Sequence, residues 1–185
     1  MANNFSKCPK TLQKLDHWVN WKKKPDPNNP EKTKKVPINP GTGKLASVTD
    51  PSTWSSFEDA VKRNKKGGVD GIGFVFTTED TYVGIDLDDC RDVDTGEIEP
   101  WAQNILADIN SYSELSPSGT GIHIIAIGKL PGNGIRFGNK EIYDQGRYFT
   151  VTGNSIDTQR SSIKNYTNKI NKYYKQLQAE KSAAK

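Results

Sequence analysis

Hydrophobic and polar positions follow two periods along this chain, and each change of period marks a change of element. Near the start, Leu12, Leu15, Trp18, Val19 and Trp21 fit either a short helix or a strand with aromatic packing. From Pro25 to Pro51 no period survives. Proline, asparagine, glycine and lysine dominate there, which predicts a long ordered loop with at most short extended pieces. Trp54, Phe57 and Val61 then fall at helical spacing behind the capping-type residues Asp50 and Ser52, and Gly67-Gly68 ends that helix. Two apolar runs, Ile72 to Phe76 and Tyr82 to Leu87, flank the polar stretch Thr77 to Thr81 and predict an antiparallel hairpin.

Pro100 opens a second helix, with Trp101, Ile105 and Ile109 on one face and Asn104, Asp108 and Ser111 on another, ending near Ser111. A glycine-bearing turn, Ser116 to Gly121, feeds a strand over Ile122 to Ile127. Lys140 to Tyr143 and Arg147 to Val151 read as a further hairpin, with Asp144-Gln145-Gly146 supplying turn chemistry. From Arg160 onward Ile163, Tyr166, Ile170, Tyr173 and Leu177 carry the helical period on a basic background, and Ala179 to Lys185 should fray. The sum is an α+β chain.

Length then bounds the organisation. At 185 residues there is room for one domain, or one domain of two packed lobes, but not for two independent ones. Cys8 and Cys90 stand far apart with no Cys/His cluster, so neither a disulfide framework nor a structural zinc site is indicated. The first residues lack the apolar core of a secretion signal, and no apolar run approaches the length of a membrane span. We therefore expect no membrane partner and a cytoplasmic location.

Charge changes the picture more than its net value of +4 suggests, because the signs are segregated. Residues 22 to 35 hold Lys22, Lys23, Lys24, Lys32, Lys34 and Lys35 against Asp26 and Glu31, while residues 86 to 99 hold seven acids against Arg91. Two solvated loops would also look this way. A basic approach beside an acidic centre nevertheless suits a protein that binds a polyanion and metal ions together.

Three segments carry chemistry. In Val83-Gly84-Ile85-Asp86-Leu87-Asp88, strand alternation puts Val83, Ile85 and Leu87 on one side and both aspartates on the other. Carboxylates that close repel unless a cation lies between them, and hard oxygen ligands select Mg²⁺ or Mn²⁺. A merely solvated acidic strand end is the alternative. In Ser116-Pro117-Ser118-Gly119-Thr120-Gly121-Ile122-His123, small residues let backbone N–H groups approach a phosphate, with an imidazole one strand step on. A structural histidine is the bland reading. In Glu141-Ile142-Tyr143-Asp144, Glu141 is placed to complete a three-carboxylate set, with Asp144 as the alternative, unless the segment is an ordinary surface hairpin.

D-x-D at a strand end, S-G-x-G-x-H opening a strand, and E-I-Y running into Arg147-Tyr148-Phe149 and Thr152-Gly153 together resemble the archaeo-eukaryotic primase superfamily. More narrowly, they are similar to the bifunctional primase-polymerase (prim-pol) domain of phage, plasmid and mobile-element replication proteins. Lys34 to Pro40, Ala46 to Pro51 and Trp54 resemble its N-terminal part, and the match runs over roughly residues 15 to 155.

That resemblance implies a two-lobed catalytic domain over residues 1–159, with an RRM-like antiparallel or mixed sheet carrying the motifs and residues 160–185 forming a basic terminal helix and tail. It implies Asp86, Asp88, His123 and Glu141 as catalytic residues, with two Mg²⁺ or Mn²⁺ ions on Asp86, Asp88 and Glu141. Ser118, Gly119, Gly121 and His123 would meet the triphosphate, and Lys35, Arg136 and Arg147 the triphosphate or template. Substrates would be a single-stranded DNA template, a primer and nucleoside triphosphates, with a helicase or single-strand-binding protein as partner. Gly41-Thr42-Gly43-Lys44 does not make a phosphate loop, because Ile38 and Leu45 occupy positions that need Gly and Ser or Thr, so no ATPase site is expected. A non-catalytic single-strand-binding module remains the second reading. A rolling-circle initiator does not, since His17 and His123 cannot form its histidine pair.

Overall fold

The structure, a computed structural model, describes residues 3–184, with Pro30 by its backbone alone. After a single helical turn, α1 (Lys10–Gln13), the aromatic segment resolves as a strand, β1 (Trp18–Asp26). The stretch expected to be a loop instead returns as β2 (Asn29–Ile38), antiparallel to β1 from Asn20↔Ile38 to Lys24↔Lys34 and beyond. Its turn-forming residues are concentrated at Pro27-Asn28. Pro37 falls on an edge strand, where a missing N–H removes no ladder bond. Composition averaged over Pro25 to Pro51 hid a hairpin whose alternating Lys, Thr and Val suit a strand.

α2 (Phe57–Lys66) begins later than the apolar spacing suggested. Ser56 accepts the Asp59 N–H as its cap, and Trp54 lies outside, after a short 3-10 turn. β3 (Gly71–Phe76), β4 (Tyr82–Leu87), α3 (Pro100–Asp108) and β5 (Tyr112–Leu115) follow. Then come β6 (Ile122–Ile127), β7 (Ile135–Phe137), β8 (Lys140–Tyr143), β9 (Arg147–Val151) and α4 (Thr167–Ala183). The expected stripe of α3 does face the core, with Ile109 buried just past its end and Trp101 and Ile105 partly buried, and Ala102 and Leu106 widen that face. α4 starts after Tyr166 and stays helical to Ala183, beyond the point where fraying was expected, while Lys185 lies outside the described residues.

The strands form two antiparallel sheets among the described residues, ordered β2-β1-β3-β9 and β5-β6-β4-β8-β7. Neither expected hairpin exists as such: β3 and β4 belong to different sheets, and so do β8 and β9. The connectors explain why. Asp80 accepts the Thr77 and Tyr82 N–H groups at 3.1 and 2.7 Å, fixing a step from one sheet to the other. Asp144, expected in an exposed turn, is buried and accepts the Leu130 N–H at 3.1 Å. β3 is buried on both faces, which an isolated hairpin cannot provide.

Two apolar clusters hold these layers. Val83, Ile85 and Leu87 of β4, with Ile122, Ile124 and Ile142, face α3 and α4. The opposite face of the five-stranded sheet contributes Tyr112, Ile125 and Tyr143 to a second cluster with Trp18, Phe74, Phe76 and Phe149 of the other sheet and Phe57 of α2. Burial of this many aliphatic and aromatic side chains, each contributing about 1.5–3 kcal/mol, is the main force joining the sheets.

Candidate active site

Register places the chemistry. β4 lies at the centre of the five-stranded sheet, and its Asp86 is directly opposite His123 of β6 and Glu141 of β8. His123 is opposite Glu114 of β5, and Glu141 is opposite Arg136 of β7. Residues directly paired across a sheet share a face. Glu114, His123, Asp86, Glu141 and Arg136 therefore form one charged row across all five strands, with Asp88 two residues further along the same face.

The next row inward is apolar: Tyr112, Ile125, Gly84 and Tyr143. Gly84 is required by close approach, since a Cβ there would meet Phe149 and Phe76 ring atoms at 2.6 Å. Those rings seal the inner end of the row. Outside the seal, Asp86, Asp88, His123, Glu141 and Arg136 line a cleft of about 430 Å³ with Thr33, Lys35, Tyr148, Phe149 and Thr150. The Tyr148 hydroxyl donates to the Lys35 carbonyl at 2.6 Å, tying β2 to β9 over this cleft. A separate concavity of about 310 Å³ under α3 and α4 contains none of the charged row.

β9 is the edge strand of its sheet, and the row meets its free edge at the Thr150 carbonyl. The Thr150 carbonyl is 2.9 Å from His123 Nδ1, and since a carbonyl only accepts, that nitrogen carries the proton. His123 Nε2 then faces Asp86 Oδ1 at 3.5 Å. Burial alone would push the His123 pKa down, but the Asp86 and Glu114 carboxylates on either side hold it above its ordinary value. Burial pushes the Asp86 carboxyl up, His123 pulls it back, and Asp88 and Glu141 push it up again. Asp86 Oδ1 is buried and makes no hydrogen bond of ordinary length, its charged neighbour being the His123 imidazole at 3.5 Å.

Asp86, Asp88 and Glu141 are oxygen donors of the kind hard divalent ions take, and they line the same cleft. Their arrangement is open, however. Glu141 Oε1 is held by Arg136 Nε at 3.0 Å, and among the described residues no group of three or more His, Cys, Asp and Glu side chains is placed to hold a metal ion.

Asp86, Asp88, His123, Glu141, Lys35 and Arg136 are thus brought together, and the others are not. Asp144 lies with Leu130 and away from the cleft. Arg147 packs on the Tyr143 ring, 5.0 Å from its centroid, outside the cleft wall. Ser118, Gly119 and Gly121 lie in a turn beside the Leu87–Asp88 backbone, not in the wall. Ser118 Oγ is 2.9 Å from both the Ser116 and Thr120 hydroxyls, and Gly121 N–H donates to Ser116. Sequence reasoning missed Glu114. It is fully buried and accepts the Tyr112 hydroxyl at 2.6 Å and the Thr152 and Gly153 N–H groups at 2.9 and 2.8 Å. Nothing in Tyr112-Ser113-Glu114-Leu115 distinguishes this glutamate from a surface position.

No family model matches the chain. Over 155 residues, 80% of the chain, it is 40% identical to the DNA primase-polymerase of Nitratiruptor phage NrS-1. The chain is related to a phage primase-polymerase. It spans 20% of that protein's length. The primase-polymerase relationship agrees with the resemblance carried by the three motifs.

Proposed function

We propose that this chain carries the nucleotidyl-transfer site of a template-directed DNA primase or polymerase acting in replication of a phage, plasmid or mobile element. The observation that carries the reading is the row His123-Asp86-Glu141 with Asp88 beyond it, open to a cleft with Lys35 and Arg136 at its walls. Asp86, Asp88 and Glu141 would hold two divalent ions, Mg²⁺ or Mn²⁺. Bound there, such ions supply Lewis-acid charge that lowers the pKa of a primer 3′-hydroxyl and offsets charge on departing pyrophosphate.

The chain's own residues do the rest. Lys35 and Arg136 present cations to a triphosphate entering the cleft. His123, fixed at Nδ1 by Thr150, keeps Nε2 directed at Asp86 and restrains that carboxylate. Phe149 and Phe76 exclude water from the inner end. Arg147 and the Ser118-Gly119-Gly121 turn would meet the template or triphosphate from outside the cleft. The two sheets correspond on this reading to two packed lobes of a catalytic domain over residues 1–159, the five-stranded sheet being the RRM-like one. A cytoplasmic location and a helicase or single-strand-binding partner follow from the same analogy. Among the described residues no helix is long and apolar enough to cross a membrane.

The test is incorporation of labelled nucleotides on primed and unprimed single-stranded templates with Mg²⁺ or Mn²⁺, using Asp86→Ala and Asp88→Ala as controls. Metal-dependent products that vanish in both variants are expected, and products without primer identify a primase. Wild-type incorporation by either variant would remove the carboxylates from the site. No synthesis alongside intact DNA binding would favour a single-strand-binding module.

A further inference from the structure

The net charge of the chain resides in one place. Residues 22 to 35 carry six lysines and two acids, a surplus of four that equals the formal +4 of the whole sequence, so the remainder is balanced. The structure makes this segment an arm. β1 pairs with β3 only from Trp18 to Trp21, yet continues with β2 to the Asp26↔Asn29 end, so Lys22 onward stands clear of the sheet as a two-stranded ribbon.

Pairing fixes which way each lysine points. Lys23 is directly opposite Lys35, on the face that continues into the cleft with Thr33; Lys22 and Lys24 lie on the other face with Val36 and Lys34. Lys34 is taken by Asp26 at 3.0 Å, a carboxylate whose pKa is held down first by the Asn28 N–H, then by Lys34, with Lys32 contributing. Lys22, Lys23 and Lys24 are exposed, and none forms an ion pair among the described residues. The arm's base is held firmly: Asp70 accepts the Lys23 N–H at 2.6 Å, and the Tyr148 hydroxyl holds the Lys35 carbonyl.

We propose that this arm is a docking track for the phosphodiester backbone of single-stranded DNA, with Lys23 contacting phosphates on the face that continues into the cleft and Lys22 and Lys24 contacting phosphates where the strand wraps around the ribbon. Three unpaired cations on a ribbon whose base forms the cleft wall are complementary to a flexible polyanion, and side chains that reach phosphates rather than base edges make the contact sequence-independent. The direction, from Lys35 outward, rests on the reading of the cleft as a DNA-synthesising site; the docking itself does not.

The experiment measures affinity of the full chain for a labelled oligothymidine by fluorescence anisotropy over a salt series, with chelator present so that divalent ions in the cleft make no contribution. Removing one lysine–phosphate interaction reduces the slope of log K against log salt by about 0.7 for single strands. Lys22→Gln/Lys23→Gln/Lys24→Gln is therefore expected to bind more weakly at low salt, with a slope shallower by about 2. Lys172→Gln/Lys175→Gln/Lys181→Gln on α4, which removes the same charge elsewhere, is expected to leave the slope unchanged. An unchanged slope in the arm variant, an equal reduction in the α4 variant, or no DNA binding by the wild type overturns the proposal. Incorporation by the wild type is measured in parallel: its absence counts against the synthetic site while the slopes still decide the arm.

Discussion

Replacing Glu114 tests whether the charged row is also a structural joint between the sheets. Its carboxylate is fully buried and accepts three donors: Tyr112 Oη and Gly153 N on Oε2, Thr152 N on Oε1. The phenol remains protonated and available as a donor, since burial and the Glu114 charge both push its pKa far up. In Glu114→Ala all three donors lose their acceptor. A buried donor without a partner costs about 1–3 kcal/mol, and water entering the vacated space relieves part of that, so the loss should be about 3–6 kcal/mol. For a chain of this size the melting temperature should fall by on the order of 10 °C or more.

Glu114→Gln separates donor count from shape. The glutamine carbonyl can still accept Thr152 N–H, and its amide can donate to the Tyr112 oxygen once that hydroxyl rotates. The Gly153 N–H then faces another donor and the rotated Tyr112 O–H has lost its acceptor, so two donors rather than three are unpaired and the loss should be about 2–4 kcal/mol, smaller than for alanine. Urea denaturation followed by circular dichroism gives both values. A loss below about 1 kcal/mol for the alanine variant would refute the donor accounting, as would a glutamine variant no more stable than the alanine one.

Other features give shorter predictions. Gly73→Ala places a Cβ 2.5 Å from Tyr148 Cδ2 and 2.9 Å from the Phe149 carbonyl, so the variant should lose about 1–3 kcal/mol in the same assay; unchanged stability would show that the ring has room to move. Burial pushes the Cys90 thiol up to about 11 and Cys8 higher still, so both should react with a thiol reagent at pH 8 only when urea opens the chain, and one fast native thiol would contradict this. Lys140 donates to Glu180 at 2.6 Å and holds that carboxyl below its ordinary range. A lowered folded pKa means the contribution is present above the unfolded value of about 4.3 and lost as pH falls through the folded one. The pair is partly exposed, so Lys140→Met should flatten the acid limb of stability by less than about 1 kcal/mol; an acid limb identical to wild type would sink this assignment.

Local pattern foretold elements better than it foretold their partners. Most of the strands and the three longer helices have apolar spacings that a reader of the sequence can find, because burial of one face requires a period. Pairing between strands depends on where a connector directs the chain. Thr77 to Thr81 and Asp144 to Gly146 both have hairpin composition, yet Asp80 and Asp144 use their carboxylates on backbone N–H groups that commit the chain to crossing between sheets. The hairpin of β1 and β2 failed in the opposite sense. Its lysines and prolines lower strand propensity, but an edge ribbon exposed on its faces has little to bury and therefore shows no hydrophobic alternation.

The site divides along the same physical line. Asp86, Asp88, His123 and Glu141 were legible because each stands next to residues of constrained type: aliphatic neighbours in the strands, a glycine turn before the histidine. What linear reading could not supply was their common row, which exists only because β6, β4 and β8 pair in a register that sets all three opposite one another. Glu114 escaped because a lone glutamate in a short strand has the composition of any surface position. Its role arises from the free edge of β9, whose N–H groups need an acceptor after the ladder ends. The carboxylate that fills this need also stands 3.8 Å from His123 Nδ1, so the residue that closes the sheet edge also biases the charge of the imidazole facing Asp86. In this fold the joint between the sheets and the charged row of the cleft therefore share one side chain, and a change at Glu114 reaches both.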